Sequence, residues 1–277
     1  MTLSFNGKQL NLSSPRVMGI LNLAPDSFFD GGKYHTLDAR LKRVEKMLND
    51  GASIIDLGAV STRPGAKAIC ADEELERLIP AFRAIRTHFS DCFLSVDTFH
   101  PSVARKVVEL GADMINDIYG GRFHEEMLNT IAGLGVPYIL MHMKGTPATM
   151  QQNPVYQDVV AEIAYFFQQQ TGKLRELKAG QVLIDPGFGF GKTVDHNFEI
   201  LSRLREFENL GHPLVVGLSR KSMIQQAIGI NVLEALNGST VLHTIALLNG
   251  ATILRVHDVK EAVQAVKLVS LVNRDRI

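Results

Sequence analysis

Tryptophan is absent from the chain, and cysteine occurs only twice, at Cys70 and Cys92. Two thiols permit at most one bridge, and no Cys-x-x-Cys pair is present, which argues against a disulfide framework, zinc ribbon or dithiol redox chemistry. Long apolar runs are also missing. The longest last a few residues, against the roughly 20 needed to span a bilayer, and the opening MTLSFNGKQLNL has no basic start followed by an apolar core. These features predict a cytoplasmic protein that contacts no membrane. Nor is there an excess of either charge: 29 Lys plus Arg balance 29 Asp plus Glu. Without a net field to draw in nucleic acid, any bound anion must be held by local groups. Finally, no Pro-, Gly- or Ser-rich linker divides the 277 residues, of which 45% are hydrophobic. A single domain over residues 1–277 is expected.

What the chain does contain is alternation. Short aliphatic or β-branched runs lie at Val17–Asn22, Ser53–Leu57, Phe93–Asp97, Asp113–Ile118, Pro137–His142, Val182–Asp185, Pro213–Leu218 and Thr252–His257. Amphipathic stretches at Leu37–Asp50, Asp72–Phe89, Pro101–Leu110, Glu125–Gly133, Tyr156–Lys178, Asn197–Asn209, Asn237–Leu248 and Val259–Val272 separate and follow them, with extra helical material at Lys221–Ile228. Eight strand-helix pairs predict an α/β protein built as a (β/α)8 TIM barrel. GASIIDLG at 51, GADMINDI at 111 and GATILRVH at 250 repeat one junction, a Gly that ends a helix and an Ala that leads into a strand. Asn6-Gly7 between alternating residues predicts an N-terminal β-hairpin closing the barrel bottom. The competing doubly wound sheet lacks its Gly-x-Gly-x-x-Gly, because the first strand runs into LAPDSFFDGG. DPGFGFGKT at 185–193 fits no Walker loop, since Pro186 stands where the first Gly is required. Its glycines instead let backbone approach a ligand held at Asp185.

In such a barrel the chemistry sits at the carboxyl ends of the strands, and there the polar residues gather: Asn22, Asp56, Asp97, Asn116, Asp117, His142, Asp185, Arg255 and His257, with Ser219–Ser222 after the seventh strand. Asp or Asn after a strand also caps helices and shapes turns, and Asp56 and Asp117 read equally well that way. His142 reads equally well as a packed histidine. Asp97, Asn116 and Asp185 supply the acceptors and donors that suit a flat heterocycle with amidine edges, of guanine or pterin type, with Lys221 reaching it from the far side. Arg255 and His257 alternate on the last strand and form an anion site. Asn22 offers an oxygen for Mg²⁺ on a diphosphate. The loops at 25–36 and 61–71 are candidate lids.

The ordered strings GILNLAPDSF, STRPG, SVDT, INDI, LMHM, DPGFGFGK, SRKS and RVHD over positions 19–258 closely resemble the dihydropteroate synthase family. The resemblance implies a barrel enzyme, usually a homodimer, that joins p-aminobenzoate to 6-hydroxymethyl-7,8-dihydropterin diphosphate with Mg²⁺ and is sensitive to sulfonamides. Carried over motif by motif, it implies pterin binding by Asp97, Asn116, Asp185 and Lys221. Diphosphate falls to Asn22, Arg63, Arg255 and His257, with Asn22 on the metal. The p-aminobenzoate site falls to Phe28, Thr62, Arg63, Pro64, Phe190, Lys221 and Ser222. It also implies a dissociative reaction in which Asp97, Asp185, Lys221 and Arg63 act by charge and no protein nucleophile is needed. The chain departs from the family pattern at Ala24, where Thr is usual, and Val60, where Glu is usual. A pterin-dependent methyltransferase and a pterin-binding paralogue without turnover are the competing readings.

Overall fold

A computed structural model describes residues 1–24, 36–61, 65 and 69–272. The expected ligands Phe28, Thr62, Arg63 and Pro64 lie outside the described residues. A hairpin of β1 (Thr2–Phe5) and β2 (Lys8–Asn11) precedes eight parallel strands: β3 (Arg16–Asn22), β4 (Ile54–Gly58), β5 (Phe93–Asp97), β6 (Met114–Asp117), β7 (Tyr138–Met141), β8 (Val182–Asp185), β9 (Val215–Val216) and β10 (Ile253–Val256). Helices α1 (Leu37–Asn49), α2 (Ala71–His88), α3 (Pro101–Glu109), α4 (Met127–Leu134), α5 (Val159–Glu176), α6 (Val194–Ser202), α7 (Ser222–Ile228), α8 (Leu236–Leu248) and α9 (Val259–Val272) surround them. The strand order β8-β7-β6-β5-β4-β3-β10-β9 closes through a parallel bridge between Ile184 and Leu214. The protein is therefore a (β/α)8 barrel.

Local chemistry accounts for the junctions. Gly51, Gly111 and Gly250 have φ of 101, 99 and 94°, and the following Ala52, Ala112 and Ala251 donate to carbonyls five residues back at 2.9, 2.8 and 3.0 Å. These are Schellman stops, in which only a residue tolerant of positive φ turns the chain from helix into strand. Asn6 and Gly7 both take positive φ, 49 and 77°, as a two-residue hairpin requires. The stretch predicted as one helix over 197–209 is divided: α6 begins earlier, where Thr193 and His196 form a capping box, and a 3₁₀ segment follows at Leu204–Leu210. Asp158, rather than Tyr156, starts α5, accepting from the amides of Val160 and Ala161 at 2.9 Å.

Side chains alternate along a strand, so every second residue faces the barrel axis. Met18, Ile54, Phe93, Met114, Ile139, Leu183, Val215 and Ile253, one from each barrel strand, form an apolar floor with Leu3 and Leu12 of the N-terminal segment. The hairpin thus seals the bottom. Lys8 fastens it to the buried Asp113 at 3.2 Å, and Gln181 exchanges hydrogen bonds with Ser4 and Thr2 at 2.7 Å. Two residues further along, the same inward faces carry Ile20, Asp56, Ser95, Asn116, Met141, Asp185, Gly217 and Arg255. The barrel is apolar below and polar above, and the polar layer is the site. Among the described residues no helix is long and apolar enough to cross a membrane.

Candidate active site

Strand register assembles the upper layer. Asn22 lies beside Gly58, Gly58 beside Asp97, and Asp97 beside Asn116. Gly58 leaves a gap that two acceptors share: a Cβ there would stand 3.8 Å from both Asn22 Oδ1 and Asp97 Oδ2. Across the barrel, Arg255 Nε donates to Asp56 Oδ2 at 2.7 Å and Nη2 donates to Asp97 Oδ2 at 2.8 Å. Asn116 Nδ2 donates to the same Asp56 oxygen at 3.1 Å. Asp97, Asn116 and Arg255 are thereby brought together, and Asp56 joins them at their centre. The sequence had left Asp56 open between site and turn. The signal that decides it is parity, since Asp56 follows the inward Ile54 by two residues.

The far wall comes from the loop after β8. Asp185 Oδ1 accepts from the Gly187 amide at 2.7 Å. Lys221 Nζ donates to the Phe188 carbonyl and stands 4.6 Å from the centre of the Phe190 ring. Lys221 reaches this position because its neighbour is turned the other way: Arg220 adopts a φ of 53° and sends its guanidinium outward to Asp258, at 2.7 and 3.1 Å. Further bonds to the Val232 and Leu233 carbonyls hold it there. Ser222 is the exposed first residue of α7.

Burial shapes the charges. Asp97 is pushed up to about 7, chiefly by loss of water, with Arg255 pulling it down and Asp56, Asp117 and Asp185 adding repulsion. Burial likewise raises Asp185, against the attraction of Lys221. Burial lowers Lys221 to about 8, with Asp185 opposing the fall. Burial also works against a charge on Arg255, but Asp56 and Asp97 outweigh it and hold the guanidinium protonated. His257, enclosed and next to Arg255, falls to about 4. The Arg255 and His257 pair therefore carries one positive charge at neutral pH, and that charge already faces two carboxylates. A diphosphate would have to compete with Asp56 and Asp97 for it.

Two strand-end candidates point elsewhere. Asp117 has the opposite parity and faces the helices, accepting from Tyr138 Oη at 2.6 Å and from the amides of Tyr119 and Gly121 at 2.8 Å. It is a turn former. His142 packs its ring 5.1 Å from that of Phe166, and burial holds it well below the ordinary imidazole range. Val60, the departure from an acidic position, is partly buried against Phe99, Ile118, Tyr119, Met141, Met143 and Met150 at the barrel mouth. The Val60 side chain thus joins an apolar cluster.

The family described as pterin binding enzyme matches residues 18–257. Dihydropteroate synthase of Escherichia coli K12 is 46% identical over 271 residues, 97% of this chain and 95% of that protein. Among solved structures, the Yersinia pestis dihydropteroate synthase in complex with a sulfonamide drug superimposes with a TM-score of 0.95 at 42% identity, covering 99% of this chain and 100% of that one. The Xanthomonas albilineans dihydropteroate synthase with 4-aminobenzoic acid gives 0.90 at 40% identity, with 98% of each chain covered. A further structure of the Xanthomonas enzyme holds 7,8-dihydropteroate, at a TM-score of 0.87 and 37% identity, covering 99% of each chain.

Proposed function

Since this chain belongs to the dihydropteroate synthase family of pterin-binding transferases, we propose that it joins 6-hydroxymethyl-7,8-dihydropterin diphosphate to p-aminobenzoate by a dissociative route, releasing diphosphate. The observation that carries the reading is the upper barrel layer. Asp56, Asp97, Asn116 and Asp185 converge there with Lys221 and Arg255, above an apolar floor that seals the other end. Asp97, Asn116, Asp185 and Lys221 bind the pterin ring, the acids accepting its N–H groups and Lys221 leaving the Phe188 carbonyl to meet it. As the methylene C–O bond breaks, its electron pair leaves with diphosphate and positive charge spreads over the pterin. Asp97 and Asp185, both buried, offset that charge where solvent screening is weak. The p-aminobenzoate nitrogen then attacks the methylene carbon and its proton passes to water. No protein nucleophile takes part.

Arg63, Arg255 and His257 receive the departing diphosphate, the last as a neutral N–H donor. Phe28, Thr62, Arg63, Pro64, Phe190, Lys221 and Ser222 surround p-aminobenzoate. Mg²⁺ suits the hard oxygen of Asn22, whose Oδ1 faces the Gly58 gap beside Asp97, since that ion takes one or two protein oxygens and completes its shell with phosphate and water. When bound, it supplies positive charge to the leaving diphosphate. A homodimer is supported by Val241, Ile245 and Leu248, exposed at helical spacing on α8, with Leu268, Leu271 and Val272 exposed on α9. Ile245→Glu followed by sedimentation analysis tests it; an unchanged dimer refutes that face. Sulfonamides, which bind the Yersinia relative, are expected to compete with p-aminobenzoate. The assignment as a whole is tested by incubating purified protein with pterin diphosphate, p-aminobenzoate and Mg²⁺. Formation of dihydropteroate is expected, and its absence sinks the reading.

A further inference from the structure

Lys192 lies in the loop after β8, is 2% exposed, and has no part in the reaction outlined above. All of its hydrogen-bond partners are neutral. Its Nζ reaches the carbonyls of Gly187 at 2.9 Å, Phe190 at 3.0 Å and His142 at 3.3 Å, together with His142 Nδ1 at 3.1 Å. Burial holds its pKa well below the usual lysine range, Lys221 adding repulsion and Asp185 opposing it, so the group acts as a caged amine whose N–H donors tie together carbonyls on both sides of a turn.

The consequence is a sorting of four successive carbonyls. Those of Gly187 and Phe190 point inward to Lys192, that of Phe188 points to Lys221, and that of Gly189 accepts from Gln151 Nε2 at 2.6 Å. The turn is also pressed against the exit of β7. A Cβ on Gly187 would lie 2.0 Å from the His142 carbonyl oxygen, and one on Gly191 would lie 2.2 Å from that of Lys144. Backbone packed this closely has no room to find a second arrangement while the Lys192 amino group is in place. Removing it leaves the His142 and Phe190 carbonyls and the His142 ring nitrogen without this partner, and leaves the Gly187 carbonyl only the Phe190 amide at 3.1 Å, a cost that favours rearrangement of the turn.

We propose that Lys192 is a positioning residue for the aryl-amine half of the site: its caged amino group sets the 187–190 turn and thereby the placement of Phe190 and Lys221. Of the four groups assigned to the pterin, Asp97 and Asn116 stand on barrel strands clear of this turn, whereas Asp185 and Lys221 touch it through the Gly187 amide and the Phe188 carbonyl. Asp185 is also anchored at the end of β8, while Phe190 belongs to the turn itself and is assigned to p-aminobenzoate alone, so loss of Lys192 acts on p-aminobenzoate more than on the pterin.

Lys192→Met keeps the length and removes the donors. Steady-state kinetics are expected to show kcat/KM for p-aminobenzoate falling by about ten- to a hundredfold, the scale of a small misplacement of contact groups. Titration calorimetry should show the affinity for pterin diphosphate falling several times less. Equal losses for both ligands, or a lower kcat with both constants unchanged, overturn the proposal, since either is what a smaller folded fraction or a general loosening produces. If Lys192→Met does not fold, Gln151→Ala decides alone. Gln151 is exposed and frees only the Gly189 carbonyl. A raised KM for p-aminobenzoate with pterin affinity intact supports the proposal, and an unchanged KM overturns it. The proposal rests on the aryl-amine assignment above. An inactive wild type in the same assay sinks that assignment, whereas an active wild type with unmoved variants sinks only the role of Lys192.

Discussion

Replacing Arg255 by Met removes the one guanidinium that two carboxylates share, at 2.7 Å from Asp56 and 2.8 Å from Asp97. Breaking a buried pair by deleting one partner costs about 3 to 5 kcal/mol, because the remaining charge has neither water nor a counter-ion. The cost depends on pH, and its sign is determined by Asp97. With Arg255 present this carboxyl already titrates near 7, raised mainly by burial and held down by the guanidinium. Without Arg255 it keeps its proton to still higher pH. A folded-state value above the unfolded one, about 3.9, means that the native state binds more protons, so stability declines as pH rises from 4 through the raised value. The deficit of Arg255→Met relative to wild type should be smaller near pH 5.5, where a protonated Asp97 needs no partner and only Asp56 has lost one. It should grow by about 1 to 2 kcal/mol towards pH 8, since each unit of displaced titration is worth about 1.4 kcal/mol. Urea denaturation of both proteins at the two pH values measures this. Adding Asp97→Asn to the variant should remove the pH dependence and recover about 1 to 2 kcal/mol at pH 8, the expected size of coupling between touching groups. A deficit equal at pH 5.5 and pH 8, or additive effects of the two substitutions, would refute the shared-charge account.

Glu74 is fully enclosed within the first turn of α2, and burial pushes its carboxyl up to about 8. Glu74→Gln should therefore stabilise the protein by on the order of 2 kcal/mol at pH 8 and hardly at all at pH 4, where both states are protonated; denaturation midpoints at the two pH values check it. Leu3→Ala opens a cavity in the barrel floor, where Leu3 is wholly buried. A loss of about 2 to 5 kcal/mol is expected with KM for both substrates unchanged, and a shifted KM would mean that the floor and the site are coupled. Gly187→Ala forces a Cβ against the His142 carbonyl at a φ of 68°. Thermal melts should show a loss of at least about 1 to 3 kcal/mol. The rate of dihydropteroate formation by the free enzyme should fall as pH drops through about 7, where Asp97 gains its proton, and again as pH rises through about 8, where Lys221 loses its own. A flat kcat/KM between pH 6 and pH 9 speaks against both assignments.

The periodic parts of this protein were legible without coordinates. Phe93–Asp97 and Val182–Asp185 coincide with the expected strands, Val259–Val272 with the expected helix, and the Gly-Ala junctions and the Asn6-Gly7 turn adopt the backbone that their chemistry demands. Each depends on neighbours a few residues apart, and the sequence states those neighbours directly. The segment at 197–209 was misread for the same reason in reverse: a capping box at Thr193 and His196 lies just outside the apolar periodicity that suggested the helix.

The candidate site was legible as a set of residue types at strand ends, because alternation along a strand is local. Alternation along the strands is enough to predict that Asp97, Asn116, Asp185, Arg255 and His257 share the barrel's upper layer. Only the tertiary structure decided which charge answers which. Arg255 and Asp56 are 199 residues apart and meet at 2.7 Å, while Arg220 and Lys221 are adjacent and part company through one positive φ. His257 loses its charge to burial beside a cation, and Lys192 finds its partners in backbone carbonyls that no residue type announces. Coulomb and desolvation energies depend on distance through space and on access to water, and both arise only when the strands close into a ring.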